Sequence, residues 1–258
     1  MTRTLSFLLL ASASLMGCGA PSSPGAETAA TAPSRPGPSP ADSATTAAIA
    51  RDVVRQPIPM EGAPQMGAST PLVYLVIFSD FQCPYCARML PIAEALLEAY
   101  PEDIQIQFRQ FPLHFHPDAL PAACASLEAY RQGGDELFWR MHDRLFENQR
   151  ALRFADLIEH GRSLVPDLDA YRAALEEGRH EEAVEADMAM GARAGVRGTP
   201  ATFINGRPII GGQPLSAFDA LVREELEIAR ELIAAGVPRG DIYESLMRSA
   251  GHATPMAL

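Results

Sequence analysis

Two cysteines two residues apart, Cys83-Pro84-Tyr85-Cys86, follow an apolar run (Leu72-Val73-Tyr74-Leu75-Val76-Ile77-Phe78) and precede a segment with helical periodicity. A strand that delivers such a pair onto the first turn of a helix sets the first sulfur among unpaired backbone N–H groups at the positive end of the helix dipole. The thiolate is favoured there, and the thiolate is the reactive species in disulfide exchange. Cys83 is therefore expected to be a redox nucleophile, and Cys86, one helical turn on, its resolving partner. Pro84 suits the first helical turn, where a missing N–H costs little. As a structural staple the pair is unattractive, because two intervening residues close a strained, reducible ring. As half of a zinc site it lacks a second C-x-x-C, and no metal is expected.

Other side chains have weaker claims to chemistry. Asp80, three residues before Cys83, is either a proton relay or a solvated loop acid. Phe81, Tyr85 and Phe115 either rim the site for unfolded chains or pack inside the domain. His114-x-His116 has the spacing of a metal pair, but His116 precedes Pro117 at an expected helix start. Cys124 shares a helical face with Leu120, Ala123 and Leu127, the setting of a buried, inert thiol. Met188 and Met190 lie on an alanine-rich helix as filler.

The elements around these residues follow from periodicity. Residues 53–56 read as a short edge strand, limited by Pro57 and Pro59, and 61–70 as a loop. Residues 72–79 form a near-continuous apolar run, as in a strand buried on both faces. Helical spacing spans 84–100, with Pro91 expected to kink it. Residues 104–108 alternate, predicting a half-buried strand, so a right-handed parallel β-α-β unit is the default. Helices are expected at 118–131, 135–149, 154–164, 167–177 and 180–194. A hairpin turns at Asn205-Gly206 between 201–205 and 207–210. A long helix follows over about 215–234, and a short one runs from Pro238 to about Ser249.

A formal net charge of −11 gives no electrostatic support to a nucleic-acid partner. The chain has no lysine, and its arginines are scattered. Residues 1–17 combine a positive start, an apolar run too short for a comfortable membrane span, and small residues, as an export signal does. Leu15-Met16-Gly17-Cys18 resembles the lipobox of bacterial lipoproteins, which implies lipidation of Cys18 and a membrane anchor. Residues 18–50, rich in Pro, Ala, Ser and Thr, read as a disordered tether. The folded domain is expected over 51–235, with a helical insertion at about 117–195, and residues 236–258 as a C-terminal helical tail. Export also implies an oxidising compartment.

The order strand, C-x-x-C helix, strand, helical block, hairpin, helix resembles the DsbA-like thiol-disulfide oxidoreductases of the bacterial envelope. The residues carrying the resemblance are 78–86, Phe111-Pro112-Leu113 with His116-Pro117-Asp118-Ala119, Gly195-Val196-Arg197-Gly198-Thr199-Pro200, and Phe203-Ile204-Asn205-Gly206 with Gly211. It covers about residues 70–235. It implies an α/β thioredoxin fold, a central mixed sheet flanked by helices, with a helical domain inserted between the βαβ and ββα halves. It also implies a redox disulfide Cys83-Cys86, an active-site loop of Pro84, Tyr85, Thr199 and Pro200, and a cis bond before Pro200 that brings this loop to the sulfurs. The Thr199 backbone would then pair with an extended substrate segment. Pro84 and Tyr85 would tune the potential. The function implied is disulfide exchange with exported or unfolded proteins that carry cysteines, oxidase-type, with reductase or isomerase as the alternative. A copper metallochaperone and a holdase chaperone are further alternatives. No cofactor is needed, but a membrane redox partner would reset the site. The expected location is the cell envelope, facing the periplasm as a lipoprotein of the outer or inner membrane.

Overall fold

A computed structural model describes residues 53–249. The expected export signal, Cys18, the expected tether and the end of the expected C-terminal tail lie outside the described residues. The elements in chain order are β1 (Gln65–Gly67), β2 (Val73–Ser79), α1 (Pro84–Ala87), α2 (Leu90–Ala99), β3 (Ile104–Gln110), α3 (Ala119–Glu147), α4 (Phe154–Arg162), α5 (Leu168–Glu176), α6 (Glu181–Arg193), β4 (Ala201–Ile204), β5 (Arg207–Ile210), α7 (Leu215–Ala234) and, after a 3-10 turn, α8 (Ile242–Ser249). The five strands form one mixed sheet in the order β1-β3-β2-β4-β5. β2 and β3 pair in parallel, and the other pairs are antiparallel.

The central strand β2 is buried on both faces, as its unbroken apolar run requires. One face packs Leu75, Ile77, Ile104 and Ile106 against α2, α7 and α8. On the other face Val76 and Phe78 meet Phe203, Ile58 and Phe111. The C-terminal helix, expected as a tail outside the domain, is part of this core: Ile242 and Leu246 are buried in it. The Tyr243 hydroxyl donates to the Ile58 carbonyl at 2.8 Å.

Three local expectations are corrected. Residues 53–56 form no strand and make only an isolated bridge at Arg55, whose side chain is buried instead. The expected loop at 61–70 contains β1, which pairs with β3. Nothing in Gln65-Met66-Gly67 marks a strand; the ladder exists because β3 offers an open edge. Gly67 permits the approach, since a Cβ there would sit 2.6 Å from the Ile104 carbonyl oxygen and its φ is +105°. Lastly, β3 is buried along its whole length rather than by half. Its polar face is covered by the incoming chain and α6. Gln105 donates to the Ala68 carbonyl, while Arg109 donates to the Pro59 and Glu61 carbonyls and pairs with Asp187.

Four helices, α3 to α6, are inserted between β3 and β4. α3 breaks at Gly133-Gly134, where Gly134 takes φ +64°. The insertion has its own core around Phe138, Met141, Leu145, Leu157 and Tyr171, and this core reaches Phe81, Cys83 and Cys86. The helical block thus supplies one wall of the cysteine site.

Candidate active site

β2 ends at Ser79, and the next four residues turn the chain into α1. The turn is set by a buried carboxylate. Asp80 Oδ1 accepts from the Gln82 N–H at 2.7 Å, and Oδ2 accepts from the Leu113 N–H at 2.8 Å and lies 2.8 Å from His116 Nδ1. Asp80 is 2% exposed, which corrects the reading as a solvated loop acid. Both of its oxygens hold the loop in place. Gln82 adds a reciprocal pair with Asp118, accepting from its N–H at 2.9 Å and donating to its carboxylate at 3.2 Å. Gln149 donates to the carbonyls of Phe81 and Cys83 at 2.8 and 2.9 Å, tying the loop to the inserted helices.

Cys83 is the N-cap of α1, with extended backbone (φ −76°, ψ 120°) and Pro84 directly after it. The single helix expected over 84–100 is two, because Pro91 has no N–H for the Ala87 carbonyl and its ring collides with that turn. α1 is therefore only four residues long. The electrostatics at Cys83 come from immediate donors rather than from a long dipole. The Cys86 thiol hydrogen-bonds the Cys83 sulfur, and the N–H groups of Cys86 and Tyr85 add to it. Together these outweigh burial and hold the thiol at about 5, well below its ordinary value. Cys86 is driven strongly upward, first by burial and then by Cys83, with the Ser79 hydroxyl partly opposing. One sulfur is thus a ready thiolate and its neighbour a retained thiol.

The second loop arrives from far along the chain. Thr199-Pro200 is a cis peptide, and the Thr199 carbonyl oxygen lies 3.5 Å from Cys83 Sγ. The structure thus brings together Cys83, Pro84, Tyr85, Cys86, Thr199 and Pro200. Tyr85 and Phe115 are exposed, whereas Phe81 is buried in a stack with Phe108 and Phe146, so only the first two are available at the surface. Cys124 is buried and pushed up to about 12 by desolvation, away from the pair. Met188 and Met190 pack at the edge of the core. Among the described residues, no cluster of three or more His, Cys, Asp or Glu side chains is arranged to hold a metal ion.

Sequence reasoning missed Gln149, Ser79 and His142. Ser79 lies inside the 78–86 stretch without being singled out, and Gln149 and His142 carry no motif, so only their place in the fold sets them beside the cysteines. The thiolate has a direct consequence: alkylation of Cys83 by iodoacetamide is expected to stay fast at neutral pH and to fall only as pH drops through about 5. Cys124 should react only after unfolding. Mass-spectrometric mapping across a pH series checks both; a midpoint near the ordinary thiol value of about 8.5 would contradict the geometry.

A family profile described as thioredoxin matches residues 60–224. Among solved structures, BdbD from Bacillus subtilis (oxidised) superposes with a TM-score of 0.62, at 22% identity over 69% of this chain and 100% of that one. The thiol-disulfide exchange protein alpha-DsbA2 from Wolbachia pipientis superposes with a TM-score of 0.58, at 18% identity over 71% and 95% of the two chains. A curated relative, the Na(+)/H(+) antiporter NhaA 3 of Salinispora tropica, is 36% identical over 159 residues, 61% of this chain but 24% of that protein. The chain thus spans about a quarter of the length of such relatives. No described helix is long and apolar enough to cross a membrane. By its matched profile, its mixed sheet and its inserted helices, the chain belongs to the thioredoxin family, with the DsbA-like form of the fold.

Proposed function

We propose that this protein is a thiol:disulfide oxidoreductase that forms disulfides in exported proteins. The observation that carries the reading is the placement of Cys83 at the N-cap of α1 beside the cis Thr199-Pro200 loop, with Cys86 one turn on and buried. This arrangement favours a thiolate at Cys83 and a thiol at Cys86. In the oxidising direction a substrate thiolate attacks Cys83 Sγ of the Cys83–Cys86 disulfide, and the electron pair leaves on Cys86, which takes up a proton. A second substrate thiolate then attacks the substrate sulfur of the mixed disulfide. The substrate disulfide forms, and Cys83 leaves as thiolate. The Thr199 backbone, beside Cys83, is suited to align an extended substrate segment by strand addition. Tyr85 and Phe115 offer exposed apolar surface to an unfolded chain. Asp80 acts as a positioning residue for the loop rather than as a proton relay.

The thiolate also favours the oxidase direction. Donors that stabilise Cys83 as an anion stabilise the reduced protein and have no anion to act on in the disulfide, so the disulfide is a strong oxidant. The sign follows from linkage. A thiol lowered in the folded state contributes stability above its unfolded pKa, and this contribution is lost as pH falls through about 5. The Leu15-Met16-Gly17-Cys18 sequence supports anchoring through a lipid on Cys18 at the cell envelope, where a membrane redox partner would reoxidise the pair.

Two measurements test the direction. Equilibration with glutathione is expected to put the couple nearer the −120 mV of strongly oxidising relatives than the thioredoxin value of about −270 mV. The oxidised protein should also restore disulfides to reduced, unfolded ribonuclease. A thioredoxin-like potential, together with reduction of insulin by the dithiol form, would make the protein a reductase.

A further inference from the structure

A cavity of about 90 Å³ lies between α2 and the second half of α3, and its lining includes Cys86 but neither Cys83 nor Thr199. Its polar groups are few: Ser79 from β2, Cys86 from α1, Glu94 from α2, and His142 and Asp143 from α3. The remaining wall, including Ile77, Ile106 and Phe108 from β2 and β3, is largely apolar. Holding one water takes about 10–15 Å³ of such space and two to four polar partners, and this cavity offers both.

His142 is out of place unless the cavity has a use. It is buried, with ring centroids 4.7 Å from Trp139, 4.8 Å from Phe146, 5.2 Å from Phe108 and 5.9 Å from Phe81. An aromatic box would more naturally hold another apolar ring. Nδ1 lies 2.8 Å from Asp143 Oδ1, so Nδ1 carries the hydrogen and donates, leaving a lone pair on Nε2. Asp143 is itself largely exposed, so the pair runs from the interior to the surface. Burial pushes the imidazole downward, with Asp143 partly offsetting it, which keeps the ring neutral and able to accept at neutral pH. Cys86 meanwhile must give up a proton before it can act as a nucleophile, and the Ser79 hydroxyl hydrogen-bonds its sulfur.

We propose that this cavity is the proton passage of the buried thiol. Cys86 exchanges its proton through Ser79 and cavity water with His142 Nε2, and Asp143 holds the resulting imidazolium. This rests on the reading of Cys83 and Cys86 as the exchanging pair. When the dithiol is oxidised, Cys83 first attacks a disulfide R–S–S–R and releases RS⁻. The Cys86 proton then passes to His142, and the Cys86 thiolate attacks Cys83 Sγ. The Cys83–Cys86 bond forms, the bond to the second RS breaks, and that sulfur leaves with the electron pair. The dithiol is oxidised and the disulfide reduced to two thiols, with the imidazolium returning its proton to solvent. Substrate oxidation runs the same path backwards, His142 returning a proton to Cys86 as it leaves.

Stopped-flow reaction of the reduced full chain with 4,4′-dithiodipyridine separates the steps, because each releases one coloured thiopyridone. The first release reads Cys83 and the second reads Cys86. His142→Gln is expected to slow the second release by about tenfold or more and leave the first unchanged. It should also abolish the fall of the second rate as acid protonates the imidazole. In His142→Ala, added imidazole should restore the second release. Two results would overturn the proposal: a second release within about twofold of the unmodified rate in both variants with the same pH profile, or an equal slowing of both releases, which would mark His142 as packing only. A single release from the unmodified chain would instead overturn the exchange reading itself, and this inference with it.

Discussion

Cys86→Ser is expected to leave the protein covalently joined to its substrates, whereas Cys83→Ser should leave it inert. The asymmetry follows from the sulfur environments. Cys83 sits at the N-cap, beside the Cys86 thiol and the Cys86 and Tyr85 N–H groups, and holds the anion. A serine hydroxyl there would remain a neutral, weak nucleophile, so exchange should drop to the uncatalysed rate. Cys86 is buried and raised, so its part is to resolve the mixed disulfide or to be released by it. Serine at 86 retains a donor toward the Cys83 sulfur and keeps the thiolate, and the reduced variant attacks substrate disulfides but cannot finish. Alanine at 86 removes the largest contribution holding Cys83 low, so its thiol should climb back toward the ordinary range. Mixed disulfides appear on a non-reducing gel as adducts cleared by dithiothreitol. Equal trapping by Cys83→Ser would remove the assigned difference in roles, and no trapping by Cys86→Ser would remove the exchange mechanism.

Glu225→Ala is expected to cost about 3–5 kcal/mol of stability. Arg55 and Glu225 are both fully buried and 2.6 Å apart. Arg55 also donates to the Asn205 carbonyl at 2.8 Å, and Arg207 reaches the other Glu225 oxygen at 3.0 Å. Removing the carboxylate leaves a guanidinium in the interior with its charge uncompensated, while Arg55 Nε and Nη2 already have no hydrogen-bond partner among the described residues. The ion pair need not be more stable than an apolar replacement, so the double substitution Arg55→Leu with Glu225→Leu should recover much of the loss. Urea unfolding of the reduced protein measures both; a cost below about 1 kcal/mol for Glu225→Ala would show that the guanidinium escapes to solvent. The Cys83 alkylation rate should not move, because the pair lies by Asn205 and Tyr74, at the opposite end of β2 and β4 from the sulfurs.

Wherever the determining interactions are short-range, the fold was legible in the chain. The unbroken apolar run made β2 a central strand. Asn205 at φ 44° and Gly206 at φ +79° form the turn that their residue types announce. Gly133-Gly134 divides α3, and Pro91 divides the active-site helix, for backbone reasons that involve no distant residue. β1 was invisible because three residues without strand character become a strand only when β3 supplies the partner. The half-buried prediction for β3 failed for a related reason. Alternation reports polarity, and Gln105 and Arg109 are buried because carbonyls distant in the chain accept from them, while Gln107 donates to Gln105 on the same strand.

The same division runs through the site. Sequence by itself determined the reactive pair and its order along the helix start, since each is a covalent or nearest-neighbour property, while the proline loop that would meet it followed from the resemblance its motifs carry. Only the tertiary structure decided how deep each group sits and what faces it. Asp80 is a buried brace, Phe81 a core ring, Thr199 a neighbour of Cys83 from 116 residues away, and His142 a titratable group sharing a cavity with Cys86. Depth and long-range pairing set the desolvation and hydrogen bonding that separate the two thiols, and neither is carried by residue type or spacing.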